Sequence, residues 1–213
     1  MILILLGPPG SGKGTQAKLL HQKLNLIYFE AGRILREKAK EENKLGKKID
    51  ELINKKGVLV PDSIMKMVLK DFFQKKNLKK GIIFDGFPRN LSQYQILQEF
   101  LKEKGLKIDK VFLLEVSDKT IIFRLSQRRI CSKCGLEYNL ATRPPKNDEI
   151  CDQCQVKLIS RPDDTPKLIK NRLKIYKKET QPLINEAEKN KILVRINGER
   201  KIKEIYQEIL ANL

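Results

Sequence analysis

The sequence has no tryptophan, a single histidine and few aromatic residues, 6% of 213. No apolar run approaches the roughly 20 residues that span a bilayer. Its only apolar N-terminal stretch, Met1–Leu6, is too short for a signal-peptide core and has no basic leader before it. These absences argue against a membrane-spanning or secreted chain and set the expectation of a cytoplasmic protein with no membrane partner. Cysteine is missing everywhere except between Cys131 and Cys154, where all four fall. With no secretory signal, a disulfide framework is not expected.

Positive charge is abundant. Lys and Arg number 44 against 26 Asp and Glu, a formal net charge of +18. A basic surface attracts polyanions: nucleic acid, anionic membrane or nucleotide phosphates. The lysines are dispersed, as in Lys38–Lys48 and Lys75–Lys80, which describes a solvated face better than a binding stripe. The length fits one domain with small inserts.

Short apolar runs alternate with amphipathic stretches. Strands are expected at Ile2–Leu6, Ile27–Phe29, Ile82–Asp85, Val111–Val116 and Leu193–Ile196. Runs that are apolar on both faces suit a parallel sheet covered by helices. Helices are expected at Lys13–Lys23, Arg33–Glu42, Lys47–Lys55, Asp62–Lys75, Leu91–Glu103, Lys119–Arg128, Pro166–Lys189 and Lys201–Leu210. The alternation predicts an α/β fold, a five-stranded parallel sheet flanked by helices. Two segments break the rhythm and read as inserts: Glu30–Val60, with two short helical patterns, and Gln127–Asp164, rich in turn residues.

Gly7-Pro8-Pro9-Gly10-Ser11-Gly12-Lys13-Gly14-Thr15 follows a strand and opens a helix. This is the context a phosphate loop requires. Its glycines allow a tight turn whose N–H groups converge on phosphate oxygens, and the helix adds its positive end. Lys13 can reach terminal phosphates as a mobile charge. The general pattern has Ser or Thr directly after the lysine; here Gly14 intervenes before Thr15. That variant points to nucleotide-to-nucleotide kinases rather than switch GTPases.

Asp85-Gly86-Phe87-Pro88-Arg89 ends a later strand, where ligands of open α/β sheets bind. Asp85 there can hold magnesium through water, and Arg89 can clamp an anion bidentately. At this point the chain resembles the adenylate kinase family over essentially its whole length. The resemblance rests on Gly7–Gln16, Gly32 with Arg36, Gly57–Asp62, Asp85–Gln93, Arg124 with Arg128, and Arg161-Pro162-Asp163-Asp164 with Arg172. It implies a P-loop core over residues 1–29, 61–126 and 165–213, a helical monophosphate-binding insert over 30–60 and a lid over 127–164. The implied reaction is Mg·ATP + AMP ⇌ 2 ADP. Lys13, Arg89, Arg124, Arg128, Arg161 and Arg172 would surround the transferring phosphoryl group, whose charge spreads over its equatorial oxygens. No side-chain nucleophile is needed, so His21 is expected to be a surface or packing residue.

On the ATP side the resemblance implies Gly10, Ser11, Gly12, Lys13, Gly14, Thr15, Arg128, Glu137, Tyr138 and the backbone near Arg200. Tyr138 is equally open to a packing role within the lid. On the AMP side it implies Ala31, Arg36, Val58, Leu59, Val60, Gly86, Phe87, Pro88, Arg89, Gln93, Arg161 and Arg172. Gln93 stands where adenine-specific members carry glutamine; relatives acting on UMP and CMP usually carry asparagine. Glu30-Ala31-Gly32-Arg33 departs from the usual Ser-Thr-Gly-Asp, and Ala31 resembles the pyrimidine kinases. Gln93, as a direct reader of the base edge, outweighs that departure and favours AMP.

Cys131-x-x-Cys134 and Cys151-x-x-Cys154, sixteen residues apart, have zinc-ribbon spacing. Four thiolates and no open position imply a structural zinc that holds together a lid too small for its own core; iron can substitute in such a site. Such stiffening would leave bending to the lid's ends, near Gln127 and Asp164. Two other readings compete. One is a UMP/CMP-type kinase. The other is a zinc-ribbon nucleic-acid-binding ATPase, favoured by the charge. Against it, the lid carries Glu137, Asp148, Glu149, Asp152, Asp163 and Asp164 and only Tyr138 for stacking on bases. The expected partners are therefore ATP, AMP and ADP, with no stable nucleic acid, and a monomer is the expected state.

Overall fold

The structure, a computed structural model, describes residues 1–213 apart from Lys75, Asn77 and the side chain of Lys79. The last residue of the expected helix Asp62–Lys75 lies outside the described residues. In chain order the first half comprises β1 (Ile2–Leu6), α1 (Lys13–Leu24), β2 (Ile27–Glu30), α2 (Ala31–Lys38), α3 (Lys44–Asp50), a π-helical segment (Glu51–Lys56), α4 (Asp62–Gln74), a 3-10 turn (Leu78–Lys80), β3 (Ile82–Asp85) and α5 (Leu91–Lys102). The second half comprises β4 (Lys110–Glu115), α6 (Asp118–Ser126), β5 (Arg128–Cys131), β6 (Glu137–Asn139), β7 (Leu158–Ile159), α7 (Pro166–Lys189), β8 (Leu193–Asn197) and α8 (Ile202–Ala211).

Five strands form one parallel sheet in the order β2-β3-β1-β4-β8. All five residues of β1 are buried, because alternate side chains enter different cores. Leu3 and Leu5 meet Ala17 and Leu20 of α1 and Ile205 and Ile209 of α8. Ile2, Ile4 and Leu6 share the opposite core with residues of α4, α5 and α7, including Leu69, Leu97 and Leu183. Helices on both faces explain why the central strands read as continuous apolar runs. The carboxyl ends of β1, β2 and β3 therefore open on one edge, at Leu6, Glu30 and Asp85.

Several boundaries differ from expectation; α2, for one, ends at Lys38 rather than Glu42. Helix α2 starts at Ala31 rather than Arg33. Helix α3 starts at Lys44 because Asn43 caps it, its side chain accepting from the Gly46 N–H at 2.7 Å. Helix α6 stops at Ser126, with Gln127 as its C-cap, so Arg128 opens a strand instead of ending a helix. The cysteine segment also holds a three-stranded antiparallel sheet, β6-β5-β7. Its strands are four residues or fewer, too short for a period to register in the sequence. Among the described residues no helix is long and apolar enough to cross a membrane.

Candidate active site

The loop between β1 and α1 turns through Gly10 at φ +80°, where a Cβ would lie 2.9 Å from Leu125 Cγ. Glycine is needed there on both counts. Ser11 is fully buried, and Lys13 Nζ donates to the Pro8 carbonyl at 2.8 Å, over its own loop. The first turn of α1 holds no acid, so its positive end is not neutralised locally. Gly14 has a different reason. A Cβ there would sit 3.1 Å from Asp85 Oδ2, so the Ser or Thr of the general pattern would crowd the carboxylate.

Asp85, 8% exposed, ends β3. Its Oδ2 accepts from the Tyr28 hydroxyl at 2.9 Å. The register pairs Glu30 with Asp85 on adjoining strands, so both carboxylates face the same side. Burial raises both carboxyls above their ordinary pKa; Lys13 opposes the shift at Asp85, and Lys18 opposes it at Glu30. The Lys13 ammonium is pushed down to about 8 by burial, which outweighs the neighbouring Asp85; Arg89, Arg172 and Arg128 add to the shift.

Five arginines converge, from β5, α6, α7 and the loops before α5 and α7. Arg128 of β5 binds Asp164 through Nε and Nη2, both at 2.6 Å. Arg161 grips Asp163 through Nε at 2.9 Å and Nη2 at 2.7 Å, and its Nη1 reaches Glu137 at 3.0 Å. Arg172 of α7 touches both aspartates, at 2.9 Å and 3.0 Å. Burial disfavours the charge on Arg161, but Asp163 and Glu137 more than compensate and raise its pKa above the ordinary value. Burial would likewise raise the Asp163 carboxyl, yet Arg161 and Arg172 hold it well below the usual range. Arg89 Nε donates to the Gly86 carbonyl at 2.8 Å, and the Arg89 carbonyl accepts from Thr180 Oγ1 at 2.8 Å. Arg89 is exposed to the open cavity but surrounded by protein walls; that partial loss of hydration, with Arg172 nearby, lowers its pKa to about 10. Arg124 of α6 reaches the Ser11 carbonyl at 3.4 Å.

One cavity of about 670 Å³ joins these groups, a size typical of small-molecule sites. It is lined by the loop Gly10–Thr15, Asp85, Gly86, Pro88, Arg89, Arg124, Arg128, Arg161, Arg172 and Arg200. Ala31, Arg36, Val58, Leu59, Val60, Gln93, Glu137 and Tyr138 also border it. Phe87 does not. It is 1% exposed and packs on Phe29 at 5.7 Å between ring centroids, so its side chain lies in the core and not at the cavity wall. Apolar burial wins over the polar turn around it.

Tyr138 borders the cavity, but its hydroxyl is engaged in the cysteine cluster, donating to Cys151 Sγ at 3.7 Å and accepting from the Asp152 N–H at 2.9 Å. The packing alternative describes that side chain. Arg200 is paired with Glu208. Ala31 is 1% exposed, largely within the core. Two participants escaped sequence reasoning. Tyr28 carried no motif, and Glu30 was visible only as a departure from a pattern. Glu30 lies 3.6 Å from Arg36 Nη2 and 3.8 Å from Arg33 Nε, a carboxylate beside a proposed phosphate-binding arginine.

The four cysteine sulfurs lie within 4.8 Å of one another, with Cys134 Sγ 3.7 Å from Cys151 Sγ. Bonds of roughly 2.3 Å around one tetrahedral ion put sulfurs about 3.8 Å apart, whereas a disulfide needs about 2.05 Å. The cluster therefore fits a zinc ion. Cys131, Tyr138, Cys151 and Leu158 form the only buried core of this sheet among the described residues, which is small for self-sufficient folding.

A phosphate loop and a second cationic wall around one cavity define a P-loop phosphotransferase, and the fold is of that class. Comparisons agree. A family model described as adenylate kinase matches residues 5–192. An adenylate kinase of Caldicellulosiruptor bescii is 43% identical over 213 residues, covering 100% of this chain and 99% of the relative. One from Kosmotoga olearia is 41% identical over the same span, again 99% of the relative. One from Thermotoga petrophila is 42% identical over 209 residues, 98% of this chain and 94% of the relative. The chain belongs to the adenylate kinase family.

A pKa near 8 for Lys13 has a measurable consequence. A bound polyphosphate favours the charged lysine, so its pKa is higher in the complex than in the free protein. Above pH 8 the free protein must take up a proton to bind, and affinity falls. A fluorescent ATP analogue titrated from pH 7 to 9.5 is expected to lose affinity steadily above pH 8. A constant dissociation constant over that range would show that Lys13 stays charged in the free protein.

Proposed function

We propose that this chain transfers the γ-phosphoryl group of Mg·ATP to AMP and releases two ADP. The observation that carries the reading is the single cavity lined on one side by the phosphate loop and on the other by Arg36, Arg89 and Gln93. An AMP phosphate oxygen attacks Pγ, the new O–P bond forms, and the bond from Pγ to the β-phosphate bridging oxygen breaks. ADP leaves on each side, and no protein nucleophile takes part.

Each cation has a role in this proposal. Lys13 and the loop N–H groups hold the β- and γ-phosphates, while Arg36 and Arg89 hold the AMP phosphate. Arg124, Arg128, Arg161 and Arg172 neutralise charge on the phosphoryl group in transit. Positioning and fixed electrostatics are sufficient for such a transfer. Asp85, with one oxygen on Tyr28 and Lys13 nearby, would hold magnesium through water. The ion would supply charge neutralisation on the phosphates. Structural zinc on Cys131, Cys134, Cys151 and Cys154 would hold β5, β6 and β7 together.

The division proposed is a core of residues 1–29, 61–126 and 165–213, a monophosphate-binding part at 30–60 and a zinc lid at 127–164. The chain would act as a cytoplasmic monomer that binds no nucleic acid stably. Closure of the lid would exclude water, which competes with AMP for the phosphoryl group.

Three measurements test the proposal. Arg89→Ala is expected to lower turnover by well over tenfold; a loss below about tenfold (~1.4 kcal/mol) would remove Arg89 from the reacting centre. Native mass spectrometry is expected to find one metal ion per chain, and carefully purified protein without metal would refute the zinc assignment. Structures with and without a bisubstrate analogue are expected to differ by rotation of 127–164 about Gln127 and Asp164. Identical geometry in the two would refute lid closure.

A further inference from the structure

Gln93 is held at the cavity wall by both its backbone and its side chain. The Asn90 side chain caps α5 and accepts the Gln93 N–H at 2.8 Å, which fixes the backbone. Its side chain is 2% exposed, and both ends of the amide are engaged. Oε1 accepts from the Arg89 N–H at 2.9 Å, and Nε2 donates to Asp62 Oδ1 at 3.1 Å. These partners are chemically one-sided. A backbone N–H can only donate, and a carboxylate can only accept. The oxygen and nitrogen of the amide are therefore assigned by their neighbours. Reversing it would set two donors against each other at Arg89 and two acceptors against each other at Asp62. Asp62 opens α4, where the helix dipole favours its negative charge.

A primary amide has two N–H donors and two lone pairs on oxygen. One of each is consumed, leaving one N–H and one lone pair for a ligand in the cavity that Gln93 borders. A base that pairs with both must present a donor to Oε1 and an acceptor to Nε2. Adenine does so with its amino group and adjacent ring nitrogen, and cytosine does the same. Hypoxanthine, guanine and uracil present a carbonyl beside a ring N–H, which is the reverse order.

We propose that Asp62 is a specificity-determining residue: by fixing the orientation of the Gln93 amide, it restricts the acceptor to nucleoside monophosphates whose base carries an amino group beside a bare ring nitrogen. This rests on the reading of the Gln93 side as the acceptor site. The filter separates amino bases from oxo bases and not purines from pyrimidines, so CMP outranks UMP even where both are poor. Asp62 acts through Gln93 and need not touch the base.

The test compares AMP, IMP, CMP and UMP as acceptors with the wild-type chain and Asp62→Asn. IMP is the decisive probe, since it differs from AMP only in the reversed edge. The amide introduced by Asp62→Asn can face Gln93 with either its oxygen or its nitrogen, so it removes the clash of acceptors at residue 62 and leaves only the clash of donors at the Arg89 N–H against the flipped Gln93 side chain. The wild type is expected to prefer AMP over IMP by about a hundredfold or more, as sites built on paired polar groups do, and CMP over UMP. Asp62→Asn is expected to cut the AMP:IMP ratio of kcat/KM about tenfold, through a gain on IMP as well as a loss on AMP, with KM for ATP unchanged. A merely structural role would lower both acceptors together, and that result overturns the proposal. An unchanged ratio with AMP activity intact overturns the inference alone. Wild type that uses IMP within tenfold of AMP overturns it whether or not the variant folds. Wild type that phosphorylates no monophosphate overturns the kinase reading and this inference with it.

Discussion

Asp163 and Asp164 gather Arg128, Arg161 and Arg172 into one cluster inside the protein, and the rest of the site depends on that pairing. Three guanidinium groups, Arg161 buried and Arg128 and Arg172 partly so, would repel one another and lose much of their hydration. Two adjacent carboxylates offset both costs, and a turn from the Arg161 carbonyl to the Asp164 N–H at 3.1 Å presents them side by side. The cluster draws its members from β5, from the segment after β7 and from α7. Distant parts of the chain thus meet through charge rather than apolar contact. In the proposed reaction, anionic substrate oxygens entering the cavity would find guanidinium groups already oriented, which is the condition for electrostatic catalysis without reorganisation.

The parallel sheet was legible because its strands are apolar on both faces, and the phosphate loop because its glycines answer a steric demand. Arg89, Arg128, Arg161 and Arg172 were legible as a set only through resemblance. Nothing in local periodicity distinguishes them from the many surface cations of so basic a chain. The cysteine pairs were legible from spacing alone, since a tetrahedron of sulfurs needs two short knuckles. The strands around them were not, because two to four residues carry no period.

Other features depended on partners that only tertiary structure supplies. Phe87 lies in a motif that otherwise borders the cavity, yet Phe29, Phe72 and Phe84 form an aromatic core beneath it. Tyr138 borders the cavity and spends its hydroxyl on the cysteine core. Glu30 and Tyr28 became part of the site through strand register, which sets residues of β2 beside Asp85 although they lie far apart in the chain. The demand at Gly14 is likewise set from across the sheet, by a carboxylate oxygen that would stand 3.1 Å from a Cβ.

Gln127 is the single residue between α6 and β5. Arg124 stands on one side of it, fixed to the phosphate loop, and Arg128 on the other, fixed to Asp164. Two hydrogen bonds tie the segments across this joint: Asn139 Nδ2 to the Arg124 carbonyl at 2.8 Å, and the Leu140 N–H to the Gln127 carbonyl at 2.9 Å. A rotation there changes the distance between two guanidinium groups only four residues apart. Under the proposed lid closure the joint would work as a caliper, whose jaws would reach the spacing suited to one phosphoryl group at one angle of the hinge.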